Sequence, residues 1–188
     1  VLSSSLHMVG RFLEASVVGQ KAVDLIPEDA EAANNLGNTF FDLGKLEEAK
    51  TFFEKAVSLE RDYAEANNNL GSVFKEFKNW ESAEACFRQA IISNAKYPQA
   101  HFNLGTVLFE LGRIEDAEAS YKRALALEPN YPKAHINIAA IYSDRGALEM
   151  ARDHLGQALS LDPTLAEARN NLGSVLVMLG RLKEAEAS

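Results

Sequence analysis

The same residues return every 34 positions along this chain, and that regularity restricts the fold more than any other property. Leu36-Gly37 recurs as Leu70-Gly71, Leu104-Gly105 and Leu172-Gly173, with Ile138-Ala139 in the intervening slot. Two alanine series keep the step: Ala49, Ala83, Ala117, Ala151 and Ala185, then Ala22, Ala56, Ala90, Ala124 and Ala158. Phe53, Phe87, Tyr121 and Leu155 precede the second series by three residues, and Pro27, Pro129 and Pro163 share a further phase. A fixed step of this length marks a stack of like supersecondary units, none of which buries its apolar face alone.

Each recurring residue type has a mechanical use. The Gly or Ala after Leu, and the later alanines, allow two helices to approach closely, while the large residues fill the remaining volume. Gly44, Gly112, Gly146 and Gly180 fall between two helical stretches, where glycine takes the left-handed conformation that ends a helix. Lys78 stands in that slot once, which predicts a less ideal turn. Pro129 and Pro163 stop the stretches before them. First helices are predicted near 30–43, 64–77, 98–111, 132–145 and 166–179, and second helices near 46–59, 80–93, 114–127, 148–161 and 182–188.

The order Leu-Gly, aromatic, Ala, aromatic, Ala, Pro at this step resembles the tetratricopeptide repeat family, and the resemblance covers the whole chain. It divides the sequence into a partial repeat at 1–29, repeats at 30–63, 64–97, 98–131 and 132–165, and a partial repeat at 166–188. Both ends then fall inside a repeat, as expected of a segment of a longer array. The resemblance implies an all-α fold: an α-solenoid of stacked antiparallel helix pairs, coiled into a right-handed superhelix with first helices on its concave side.

A second message rides on the same step. Asn35, Asn69, Asn103, Asn137 and Asn171 recur on the first helices, on the face opposite the Leu-Gly stripe. Asparagine is a poor interior helix residue because its amide competes for backbone hydrogen bonds. Two readings follow. The amides could pair with the backbone of an extended peptide lying in a groove, since each offers one acceptor and two donors; or they could bond to a neighbouring repeat and tie the stack together. The series is similar to the asparagine ladder in the tetratricopeptide superhelix of O-linked N-acetylglucosamine transferase, and to ladders in armadillo-repeat import receptors. Asp42, Glu76, Glu110 and Asp144 extend the candidate site, with Glu31, Glu65 and Glu167 against a single Lys133. Such a carboxylate row is either a solvated helix face or a preference for ligands bearing Lys or Arg. Phe41, Phe102 and Phe109 are candidates for apolar pockets on that side or for packing between repeats. Asn34, Asn68 and Asn170 are read as solvated or as widening the polar strip. The basic clamp with which some repeat domains of this family hold acidic chaperone tails is missing from the first helices.

Other chemistry is sparsely represented. The net charge is −8, from 27 acidic and 19 basic residues, with no basic stripe to neutralise phosphates. Cys86 is the sole cysteine; its apolar phase makes it a buried thiol, and a single reduced thiol suits the cytoplasm or nucleus. His101 and His135 follow the repeat rather than metal-ligand spacing, His7 and His154 lack companions in sequence, and no nucleophile or phosphate-loop motif occurs. No apolar run reaches the roughly 18 residues of a membrane span. The reading is a non-enzymatic scaffold, without cofactor or metal, whose partner is a protein or extended peptide; the end repeats offer faces for self-association. The alternative is the substrate-recruiting part of a larger enzyme, such as a glycosyltransferase, with its catalytic domain elsewhere.

Overall fold

A computed structural model of the chain describes residues 12–180. The second helix expected near 182–188, with Ala185, lies outside those residues, as do His7 and the start of the partial repeat at 1–29. Ten α-helices and no strands occur among the described residues. The chain divides into two compact units, 1–96 and 97–188.

The first unit holds α1 (Phe12–Leu25), α2 (Ala30–Asp42), α3 (Leu46–Leu59), α4 (Ala64–Glu76) and α5 (Trp80–Ser93). Helix α2 packs on α3 and α4 on α5, while α3 joins one pair to the next and α2 also touches α4. The second unit holds α6 (Pro98–Glu110), α7 (Ile114–Leu127), α8 (Pro132–Asp144), α9 (Leu148–Leu161) and α10 (Ala166–Met178). There α6 packs on α7 and α8 on α9, α7 and α9 link to the following pairs, and α8 touches α10. Each unit is a run of stacked helix pairs, the arrangement of an α-solenoid.

First helices start at Ala30, Ala64, Pro98, Pro132 and Ala166, one residue type apart in character but all on the 34-residue step. Proline opens α6 and α8, where its missing N–H costs nothing. Asp29 and Asn79 cap α2 and α5 by accepting from the backbone N–H of Ala32 and Ser82. Between the helices of a pair the backbone turns through positive φ at Gly44, Gly112 and Gly146, and through φ 56° at Lys78; Gly180, just after α10, also has positive φ. The lysine turn keeps both bonds of the glycine turns: Lys78 N–H to the Lys75 carbonyl and Asn79 N–H to the Phe74 carbonyl, each 2.9 Å. Its departure from ideality is therefore conformational strain, not a lost hydrogen bond.

The core follows the repeat. Ala49, Ala56, Ala83, Ala90, Ala117, Ala124, Ala151 and Ala158 are fully buried, as are Phe53, Phe87, Tyr121 and Leu155 to within 1%. A Cβ added at Gly37 would lie 2.6 Å from the Phe53 ring, at Gly71 2.8 Å from Phe87, and at Gly105 2.7 Å from Tyr121. In the repeat that carries Ala139 instead of glycine, the facing slot holds Leu155, which has no ring. The small residue and its large partner are thus a matched pair, set by contact across the two helices of one repeat.

Candidate functional site

Crevices open between the first helices of consecutive repeats, and three are described. In the first unit Asn38 and Phe41 of α2, Phe53 of α3, and Asn69 and Ser72 of α4 line one. In the second unit Thr106, Phe109 and Glu110 of α6, Tyr121 of α7, and Asn137 and Ala140 of α8 line another. The third lies between α8 and α10, where Ser143 and Asp144 face Asn171, Ser174 and Val175 over Leu155. The three are in register. Asn69, Asn137 and Asn171 occupy one repeat position, and Phe53, Tyr121 and Leu155 supply the floor from another.

The five asparagines of the series differ in surroundings. Asn69 is half-buried, and its Nδ2 donates to Asn34 Oδ1 at 3.0 Å and to Asn38 Oδ1 at 2.9 Å, both on the preceding first helix. Its amide donors tie two repeats. Asn137 is half-buried beside the Tyr121 hydroxyl, which also donates to Thr106 Oγ1 at 3.4 Å. Burial raises the Tyr121 phenol above its ordinary range, and the bonds to Thr106 and Asn137 offset only part of that. Asn171 is half-buried on the crevice wall. Asn35 is half-buried on α2, and Asn103 is 4% exposed, accepting from Gln99 Nε2 at 3.2 Å. Gln99 in turn accepts from the Tyr131 hydroxyl at 2.7 Å.

Of the carboxylates, Glu110 and Asp144 line crevices; Asp42 and Glu76 are exposed and line none of the three described. Phe41 and Phe109 are crevice residues. Phe102 is placed against Tyr121 and Tyr131, with ring centroids 5.6 and 4.8 Å apart. Asn34 and Asn68 are buried, not solvated, at 3% and 5% exposure, whereas Asn170 is exposed. Asn34 meets the Tyr63 hydroxyl, whose pKa burial pushes up to about 12, with Glu65 and Glu31 adding to the shift. Sequence reasoning passed over the crevice floor because Phe53, Tyr121 and Leu155 satisfy a packing pattern. Ser72, Thr106 and Ser174 share the 34-residue step with Asn38 and Ala140, but they entered the sequence reading only as evidence that a basic clamp is missing, and Ser143 did not enter it.

A second polar cluster lies in the second unit. His135 Nδ1 and His154 Nδ1 are 2.9 Å apart, so His154 does have a companion. The ring centroids are 5.2 Å apart, about what a straight N–H···N line leaves once the ring radii are added, so the lone pairs do not converge on an off-line metal. Burial lowers both imidazole pKa values, and for His154 the proximity of His135 and Lys122 adds to this. Nearby, Glu118 receives Lys122 at 2.6 Å, the Tyr142 hydroxyl at 3.0 Å, and Arg145. Lys122, then Arg145 and Tyr142, hold its carboxyl at about 2 against the cost of burial. Cys86 is half-buried rather than fully buried, and desolvation, with a contribution from Glu54, pushes its thiol up to about 11. Among the described residues no group of three or more His, Cys, Asp and Glu is disposed to hold a metal. No described helix is long and apolar enough to cross a membrane.

Residues 7–188 match the family described as the cilia and flagella-associated protein 70 C-terminal domain. The chain belongs to that family. Its members are tetratricopeptide-repeat proteins in the sense that the helix pairs above define. MamA shares the fold with a TM-score of 0.77 at 25% identity, covering 89% of this chain and 98% of its own. YrrB, described as a TPR protein with an unusual peptide-binding site, gives a TM-score of 0.73 at 26% identity, covering 89% of this chain and 86% of its own. PilF of Pseudomonas aeruginosa reaches a TM-score of 0.91 over 99% of this chain and 85% of its own, at 21% identity, a likeness of fold alone. No curated protein matches the chain by sequence.

Proposed function

We propose that this chain is a protein-interaction scaffold that holds an extended peptide segment of its partner against the first-helix face. The coarser half rests on the family and on repeat neighbours that include a peptide-binding protein. The finer half rests on one observation: crevices recur in register, and each carries one member of the asparagine series. At Asn137 and Asn171 the amide supplies a donor and an acceptor for ligand backbone, with limited regard to ligand side chains, whereas Asn103 is buried against Gln99 and keeps the face in place. Asn35, Asn69, Asn103, Asn137 and Asn171, with Asp42, Glu76, Glu110 and Asp144, are the residues assigned to this face.

The two readings of the asparagines divide by residue. Asn137 and Asn171 serve the ligand. Asn69 serves the stack first, since its donors are spent on Asn34 and Asn38, and it offers the ligand its Oδ1. Replacing Asn137 and Asn171 together with Ala is expected to weaken binding of extended peptides while leaving the melting temperature within about 2 °C. Replacing Asn69 with Ala leaves the buried Asn34 oxygen without its donor and is expected to cost about 1–2 kcal/mol of stability. Peptide affinity that is unchanged in the Asn137/Asn171 variant defeats the proposal.

A further inference from the structure

Two of the crevices are built alike and yet differ in size. Phe41 and Phe109 hold one repeat position, Phe53 and Tyr121 a second, and Asn69 and Asn137 a third. The crevice between α2 and α4 nevertheless encloses about 70 Å³, and the one between α6 and α8 about 230 Å³. The floor does not account for this, since the bulkier ring, Tyr121, lies under the larger opening. What changes is the slot of Asn38, which holds Thr106 on α6 and Ala140 on α8.

That slot decides what the next asparagine does. Asn38 Oδ1 accepts from Asn69 Nδ2 at 2.9 Å, and Asn34 Oδ1 accepts from the same nitrogen at 3.0 Å. The bonds lay an amide bridge across the crevice, from α4 to α2. On α6 the two accepting slots hold Phe102 and Thr106, and on α8 they hold Ile136 and Ala140. None offers an amide oxygen. The Thr106 hydroxyl is also engaged, donating to the Phe102 carbonyl at 3.2 Å and accepting from Tyr121 at 3.4 Å. Asn137 therefore bonds to Tyr121 on the floor, and its crevice stays open. The crevice between α8 and α10 encloses about 180 Å³. An apolar cavity of about 150 Å³ admits a benzene ring, so the two open crevices have room for a large side chain and the bridged one does not. Both open crevices set apolar surface beside an asparagine: Phe109 and Tyr121 near Asn137, Leu155 and Val175 near Asn171.

Accepting the first-helix face as the peptide-binding face, we infer that the slot of Asn38, Thr106 and Ala140 sets the specificity of each crevice. A short residue there admits a large aliphatic side chain of the partner segment, beside the asparagine that holds the segment's backbone. Asparagine there shuts the crevice. The second unit thus reads the partner for aliphatic side chains, and the crevice between α2 and α4 does not.

The test exchanges the slot residue between the units. Its probes are two capped peptides, Ser-Ala-Leu-Ala-Ser and Ser-Ala-Ala-Ala-Ser, titrated into the full chain and followed by side-chain amide NMR. In the unaltered protein the leucine peptide is expected to shift Asn137 and Asn171 and to leave Asn69 near its starting position. It should bind about threefold or more tightly than the alanine peptide, because even partial burial of the added carbons gives that much. Thr106→Asn is expected to abolish the leucine preference at Asn137 and to keep it at Asn171, which also shows that the second unit remains folded. Asn38→Thr is expected to create a leucine preference at Asn69 while lowering the melting temperature. A purely structural role for Asn38 would give the loss of stability without the gain in binding. Equal affinity for the two peptides, or a leucine preference that neither exchange moves, overturns the inference and leaves the binding face standing. If neither peptide perturbs any of the three asparagines, both fall.

Discussion

The matching of glycine to aromatic residue makes a quantitative prediction at Gly71 and Phe87. A methyl group on residue 71 would lie 2.8, 2.9 and 3.0 Å from three Phe87 ring carbons. Optimal carbon contacts are about 3.5–4.0 Å, so either the ring or the helix must yield by more than half an ångström. Phe87 is 0% exposed and has no route outward. Overpacking of this kind costs about 1–3 kcal/mol, and the better helix propensity of Ala returns about 1 kcal/mol, leaving Gly71→Ala destabilising by up to about 2 kcal/mol. Phe87→Leu alone leaves space beside Gly71 and should cost about 1–3 kcal/mol. Together the substitutions reproduce the Ala139–Leu155 pair of another repeat. Gly71→Ala made in the Phe87→Leu background should therefore be stabilising, by about 1 kcal/mol. The sign of its effect reverses. Urea unfolding of the four proteins, followed by circular dichroism, reads the cycle directly. Additive costs, with Gly71→Ala equally harmful in both backgrounds, refute the account of close approach.

Other outcomes follow from the same geometry. Lys78→Gly should stabilise the first unit by about 0.5–1 kcal/mol, because it removes left-handed strain while keeping both turn hydrogen bonds; an unchanged unfolding midpoint contradicts this. For His135 and His154 the folded pKa values are lowered, so below the ordinary histidine range the unfolded chain binds more protons. Stability of the second unit should then fall as pH drops from 7 towards 5, by up to about 1.4 kcal/mol per pH unit for each extra proton. His135→Asn with His154→Ser, the residues at these repeat positions in Asn67 and Ser120, should flatten that slope. Glu118, held near 2, contributes stability above the ordinary carboxylate range that is lost only at much lower pH, so the two windows separate. The Cys86 thiol, at about 11, should react with iodoacetamide at pH 8 about a hundredfold more slowly in the folded chain than in urea.

Periodicity carried the fold because each repeat meets the same neighbours. From Ala33 to Ala168 the Leu-Gly, alanine and aromatic series fall into buried positions, while Ala22, Leu172 and Gly173 towards the ends are half-buried, and the first helices end within one residue of where the 34-residue step puts them. What periodicity does not carry is contact between residues whose partners change from repeat to repeat. Asn69 finds Asn34 and Asn38, but Asn137 finds Tyr121, although both hold the same slot. Asn68 and Asn170 share a slot too, yet only Asn68 is buried. His154 meets His135 only because its own repeat carries histidine at both positions; the corresponding pair elsewhere is Asn67 and Cys86. The crevice floor was hidden for the opposite reason. A residue that packs well on one edge gives no sign in sequence that its other edge faces an opening.

Side-chain amide NMR of the asparagines tests the central claim most directly. During titration with an extended peptide, the Nδ2 resonances of Asn137 and Asn171 should shift, saturating with the bound fraction. Those of the buried Asn34 and Asn67 should stay close to their free positions, Asn67 being held by the Arg61 and Tyr63 carbonyls. Saturable binding that leaves Asn137 and Asn171 unmoved, while perturbing second-helix residues such as Ile92 or Met150, would place the ligand on another surface and contradict the account.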